Sequence, residues 1–173
     1  MKKLLLTALS VLAVSTANAE SKVFTTVPKN TFVYAEAAVG PIPFPIVGGG
    51  IGIRHKFNNN YAIDASLGIR SMIVISEFEQ RIDFLKYLTK NKSKNFYTGV
   101  GISAQQVYAV NNGDGFWVRG IGPQILYGRE TVSSEGKMSF GQLEMNCFHK
   151  VSGSGFNHVS VIPEIVFRVG KSF

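Results

Sequence analysis

Three features of the sequence predict an all-β fold: an up-and-down antiparallel barrel of about eight strands that crosses a membrane. Apolar residues alternate with polar ones along most of the chain, the period of a half-buried strand. The polar side of that alternation carries charges and glycines together, which suits the crowded interior of a narrow barrel. Aromatic residues collect beside the turns on one side, as an interfacial girdle requires.

The chain has 173 residues and a formal net charge of +7. It opens with Lys2-Lys3, an apolar run from Leu4 to Val14, and Ala17-Asn18-Ala19. A basic start, a short apolar stretch and a small-x-small site read as a secretory signal peptide over residues 1–19, cleaved after Ala19. The apolar run is too short to span a bilayer as a helix. Residues 20–30 are then a short periplasmic segment and residues 31–173 the barrel. Loss of Lys2 and Lys3 lowers the net charge to +5. Export and the scatter of the basic residues argue against nucleic acid. Lys90, Lys92 and Lys94 cluster only as a solvated turn. Cys147 is the sole cysteine, so no internal disulfide is expected; without a nearby histidine it reads as a packed or lipid-facing thiol.

The strands follow in order. In 31–39, Val33, Ala35, Ala37 and Val39 alternate with Phe32, Tyr34, Glu36 and Ala38. In 46–57, Val47, Ile51 and Ile53 oppose Gly48, Gly50, Gly52, Arg54 and Lys56. Asn58-Asn59-Asn60 supplies a tight turn. In 61–72, Tyr61, Ile63, Ala65, Leu67 and Ile69 oppose Asp64, Ser66, Gly68 and Arg70. Residues 77–88 read as a strand, although Phe78, Ile82 and Leu85 also fit a helical spacing. In 95–105, Phe96, Thr98, Val100 and Ile102 oppose Tyr97, Gly99, Gly101 and Ser103. Strand 116–129 is open in phase because Pro123 marks a bulge or an edge distortion. In 137–148, Leu143, Met145 and Cys147 oppose Gln142, Glu144 and Asn146, and 158–173 closes the series.

One face of these runs is apolar. The other collects Glu36, Arg54, Lys56, Asp64, Arg70, Glu79, Arg81, Asp83, Glu144, Glu164 and Arg168, which are nearly balanced in sign. Alternation alone fits a soluble barrel as well. Glycines at 48, 50, 52, 68, 99 and 101 favour the inside-out arrangement, with charges in the lumen. So do the aromatics at one boundary: Phe57 and Tyr61 beside the asparagine turn, Tyr87 and Phe96 around the lysine turn, Tyr127 before the third turn, and Phe173. The turns on that side are 58–60, 89–94 and 130–136. The opposite connections are 40–45, 73–76, 106–115 and 149–157, the last two expected as flexible loops.

The stretch 165–173, with Ile165, Phe167 and Val169 alternating up to Phe173, resembles the terminal assembly signal of bacterial outer-membrane β-barrels. Lys171 departs from that pattern, where an aromatic or apolar residue is usual. With the signal peptide and the strand pattern, the mature chain resembles the small eight-stranded class of OmpA's membrane domain and OmpX. The resemblance implies a Gram-negative envelope protein, porin-like in build, in contact with outer-membrane lipid. It implies recognition of Phe167, Val169 and Phe173 by the barrel-assembly machinery, and a monomer.

Sites for chemistry are scarce. Gly48-Gly49-Gly50-Ile51-Gly52 lacks the residues of a phosphate loop or a dinucleotide fingerprint. His158 and Ser160 resemble the pair of lipid A deacylases in those two residues alone, and Glu164 would lie about 13 Å from Ser160 along the strand. His55 and His149 have no metal-ligand spacing with His158. No catalytic residue, cofactor or metal is therefore expected. The reading is a non-enzymatic barrel with a structural, anchoring or surface-interaction role. Its rivals are a soluble exported lipocalin-like barrel, whose apolar face would line a ligand cavity, and a lipid A-modifying barrel enzyme.

Overall fold

The computed structural model describes residues 30–42, 45–89, 94–111, 114–154 and 161–173. The signal peptide and nearly all of segment 20–30 lie outside the described residues, as do Lys90, Lys92, His158 and Ser160. Eight strands follow one another: β1 (Thr31–Ile42), β2 (Ile46–Lys56), β3 (Tyr61–Met72), β4 (Ile75–Tyr87), β5 (Lys94–Asn111), β6 (Asp114–Val132), β7 (Met138–Gly153) and β8 (Val161–Ser172). Each pairs antiparallel with the next, and β8 pairs with β1 to close the barrel. The closing register runs from Tyr34 opposite Ser172 to Val39 opposite Phe167, with an irregularity between Val39 and Ile42. Closure leaves no unpaired sheet edge.

Period-two burial decides which side faces in. Along β4 the residues alternate without a break, with Glu77, Glu79, Arg81, Asp83 and Leu85 buried and Phe78, Gln80, Ile82 and Phe84 exposed. The helical alternative for 77–88 fails here, because Phe78 and Ile82 point outward while Leu85 points inward. On β6, Pro123 lies opposite Ile102 of β5 without a change of register. The irregularity with β7 falls at Arg119/Gly120.

In two expected loops most of the described residues are strand instead. β5 continues to Asn111 and β6 begins at Asp114, so 106–115 is mostly a paired hairpin. Its polar start misled because Gln106 is a strand residue that accepts from Arg119 of β6 at 3.2 Å on the outside. β7 likewise runs to Gly153, opposite Val118. On the side away from the chain termini, the connection whose residues are all described is Ile73-Val74, a two-residue turn.

The start of β1 and the end of β8 share one rim with the 57–60 and 133–137 connections and with residues 88–89 after β4; this is the near rim. Exposed aromatics mark it: Phe57, Phe96, Tyr127 and Phe173. Phe96 stacks on Tyr127 at 6.2 Å and Tyr61 on Phe84 at 5.5 Å. Tyr87 departs from the expected girdle. It is 6% exposed and turned into the lumen, where its hydroxyl finds Glu130 at 2.7 Å. At the far rim stand Tyr108 and Trp117, paired across β5 and β6. Tyr127 and Trp117 are ten residues apart on β6, which for a tilted strand is about 25 Å of height.

Inward aromatics fit over glycines on the neighbouring strand. Tyr34 lies opposite Gly52, Tyr97 opposite Gly128 and Phe140 opposite Gly170. A Cβ at any of the three would run into the opposing ring. Gly68 differs, since a Cβ there would meet nothing nearer than 3.6 Å. Gly52→Ala should therefore cost about 1–3 kcal/mol by overpacking, whereas Gly68→Ala should be nearly neutral. Equilibrium denaturant unfolding of the two variants checks this contrast.

Candidate functional site

The lumen is where this sequence places its chemistry. Glu36, Arg54, Asp64, Arg70, Glu79, Arg81, Glu144, Glu164 and Arg168 are each at most 5% exposed. Strand parity sends them all to one side, and the small circumference brings residues from distant strands into contact.

The network begins near the terminal rim. Lys56 pairs with Glu130, which also accepts from Arg54 at 3.1 Å. Arg54 grips Asp64, its cross-strand partner, and its guanidinium lies between the rings of Tyr97 at 4.8 Å and Phe140 at 4.6 Å. Such stacking favours a desolvated guanidinium. The Tyr34 hydroxyl donates to Asp64, and Tyr97 donates to Gln142 at 2.6 Å.

At mid-height two arginines share two glutamates. Arg81 pairs with Glu36 at 2.9 Å and with Glu144. Arg168 pairs with the same Glu36 at 3.0 Å and Glu144 at 2.7 Å, and adds Glu79 at 2.5 Å. Ser66 accepts from Arg81 at 2.7 Å. Above them Arg70 pairs with Glu77 and with Glu164 at 2.8 Å. Asn146 donates to Ser103 at 2.8 Å and to Glu164 at 3.3 Å.

Sequence reasoning passed over Glu77 and Glu130. Glu77 shares the parity of Glu79 and lies one step before it; Glu130 shares that of Gly128, but the phase beyond Pro123 was open. With both included, the described lumen sets eight carboxylates against five ion-paired cations, rather than near balance. Of the lumen tyrosines, Tyr34 and Tyr97 lie on the polar side that their alternation assigns them, and Tyr87 alone departs from its expected place in the girdle.

The outer surface is the inverse. Ile51, Ile63, Leu67, Ile69, Ile82, Val100, Ile102, Ile125, Met145 and Val169 are all exposed, and so is Cys147. Among the described residues the apolar face points away from the barrel interior, the reverse of the lipocalin-like alternative, in which it would line the internal cavity. Phe167, Val169 and Phe173 lie on this outer side, and the Phe173 amide donates to the Val33 carbonyl at 3.2 Å. Among the described residues no group of three His, Cys, Asp or Glu is placed to hold a metal ion. His55 is occupied by Thr31 at 2.8 Å.

This geometry has counterparts among solved structures. The N-terminal β-barrel domain of Pseudomonas aeruginosa OprF superposes with a TM-score of 0.59 at 16% identity, covering 83% of this chain and 98% of that one. Neisserial surface protein A superposes with a TM-score of 0.64 at 14% identity, covering 82% of this chain and 95% of that one. The chain has the fold of small eight-stranded outer-membrane β-barrels. No protein-family model and no curated protein sequence matches it.

Removing one arginine from the mid-height cluster leaves buried carboxylates without a counter-charge. Arg168→Met should cost about 3–5 kcal/mol. Lys137→Met breaks only the exposed 3.9 Å contact with Glu135 and should cost under about 1 kcal/mol. Unfolding free energies of the two variants, measured side by side, test the difference.

Proposed function

We propose that this chain is a non-enzymatic resident of the bacterial outer membrane with a structural, anchoring or surface-interaction role. One observation carries the reading: the charges are inside and the apolar residues outside, over a band about 25 Å tall between two aromatic rims. In water, so much exposed apolar surface would drive association. In a bilayer it is the surface that lipid solvates, and the closed ladder pairs backbone with backbone around the ring, as a hydrocarbon surrounding requires.

The lumen narrows the role further. Arg54, Arg70, Arg81 and Arg168 are among the largest side chains buried there, each held by carboxylates. Side chains packed in this way fill an eight-stranded barrel, and a general solute pore is not part of the proposal. On this reading the signal peptide directs export, Phe167, Val169 and Phe173 present the terminal strand to the assembly machinery, and the protein works as a monomer.

Unboiled protein should migrate differently from boiled protein on a detergent gel, and the mature chain should fractionate with the outer membrane. Identical mobility together with a soluble location would overturn the proposal. Leu67→Arg, at mid-height on the outer wall, should cost about 2–4 kcal/mol. Ser134→Arg, in an exposed turn, should change stability by under about 0.5 kcal/mol. Equal costs at the two positions would show that Leu67 does not face lipid.

A further inference from the structure

Among the described strand residues, the charged ones on the outer wall at the near rim are of one sign; the acid of the β6–β7 turn, Glu135, faces Lys137 at 3.9 Å. Lys86 on β4, Lys94 on β5, Arg129 on β6 and Lys171 on β8 all point outward and are exposed. Two of them flank a gap. Arg129 lies opposite Gly141 of β7, and Lys171 lies opposite Ser139 of the same strand. Gly141 and Ser139 are two residues apart and share the outer side. With one strand between them, the Cα atoms of Arg129 and Lys171 stand about 12 Å apart, within the joint reach of an extended arginine and lysine. The floor is open, since a Cβ on Gly141 would meet nothing nearer than 4.0 Å. The Ser139 side chain is exposed beside it. Tyr127 stands one step above Arg129 and Phe173 one step beyond Lys171, both exposed. Among the described residues no carboxylate ion-pairs with Arg129 or Lys171; the guanidinium of Arg129 rests 5.9 Å from the ring of Phe96.

We propose that Arg129, Ser139 and Lys171 bind the phosphodiester headgroup of an anionic phospholipid against β6, β7 and β8. The proposal rests on the membrane reading above. Two cations with no acid between them favour a net negative headgroup over a zwitterionic one, whose own ammonium would be repelled. Arginine and serine supply directed donors to phosphate oxygens, and lysine supplies a point charge. The acyl chains then descend from the headgroup into the apolar band over Gly141, Leu143 and Val169, where the missing side chain leaves room. Lys171 is the residue at odds with the usual terminal-strand pattern, and this site gives it a use. Its apolar stem covers Ala35 and Ser139, its partners on either side, while its ammonium reaches the interface.

The test uses the mature chain folded in a neutral detergent and given equal amounts of phosphatidylglycerol and phosphatidylcholine with matched acyl chains. Native mass spectrometry reads which lipid stays bound. The wild type should retain phosphatidylglycerol preferentially. Arg129→Gln and Lys171→Gln should each lower that preference about five-fold, Lys171→Arg should keep it, and Lys86→Gln should leave it unchanged. Equal retention of the two lipids by the wild type, or an unaltered preference in the double glutamine variant, would overturn the assignment. Displacement of the lipid by equimolar glycerol 3-phosphate or inorganic phosphate would reassign the site to a soluble anion and overturn it too. The unboiled gel shift is recorded for every sample. A lost lipid with the shift intact counts against the site alone, whereas a wild type without the shift counts against the membrane barrel.

Discussion

Everything in this molecule depends on closing eight strands into a ring. Closure gives every strand a paired neighbour on both sides, and it also fixes a lumen too narrow for solvent to hydrate freely and too wide for backbone alone to fill. The side chains that point inward must therefore fill it. They do so with a polar set whose central members are Arg81, Arg168, Glu36 and Glu144. No single strand supplies two opposite charges of this group. The cluster exists only once β1, β4, β7 and β8 are in place together.

Space inside the ring is allotted residue by residue. Where a large ring enters the lumen, the strand beside it carries glycine, as at Tyr34 with Gly52 and Tyr97 with Gly128. Arg54 then occupies the slot between Tyr97 and Phe140. The Tyr34 and Phe140 rings meet edge to face and the Arg54 guanidinium lies over the Tyr97 and Phe140 rings, so rings and charge together occupy the space that an apolar core would fill. The outer wall has no such demand. Its residues need only be apolar and lipid-solvated, and small ones such as Ala35, Gly49 and Gly141 occur beside Ile51 and Leu67 without a matching partner.

Much of this was legible in the letters, for a physical reason: a strand's period of two survives in the sequence whenever its two sides meet different solvents. In β3 the alternation of Ile63, Leu67 and Ile69 with Asp64, Ser66 and Arg70 fixes the side of each residue at once. Legibility fails where residue type does not declare a side. Tyr87 is at home in an interfacial girdle and in a hydrogen-bonded lumen, and only its bond to Glu130 tells which. Glu130 itself was lost with the phase beyond Pro123, although Pro123 turns out to keep register with β5. The hairpin over 106–115 was hidden because Gln, Asn, Gly and Asp are loop formers in water, while the pairing of β5 with β6 carries on through Val110 and Asn111. The pairing of charges across the barrel was not legible at all. Parity gives the side of Arg168 but not that it meets Glu79 from the opposite strand.

Those cross-lumen pairs explain why the interior is charged rather than greasy. A buried ion pair adds little net stability over a well-packed apolar replacement, because desolvation offsets the attraction. An apolar lumen would, however, make both faces of every strand alike. A slip of one residue exchanges the faces, and nothing would then resist it. With charges inside, a slip sends arginines and glutamates into lipid at several kcal/mol each near mid-height. Neighbouring strands could still pair correctly two by two and close with the wrong stagger. Contacts between strands that are not neighbours prevent that: Arg54 of β2 with Glu130 of β6, Arg81 of β4 with Glu144 of β7, Arg70 of β3 with Glu164 of β8. Each is met at only one stagger of the whole ring. The network thus contributes to the uniqueness of the barrel more than to its depth in free energy.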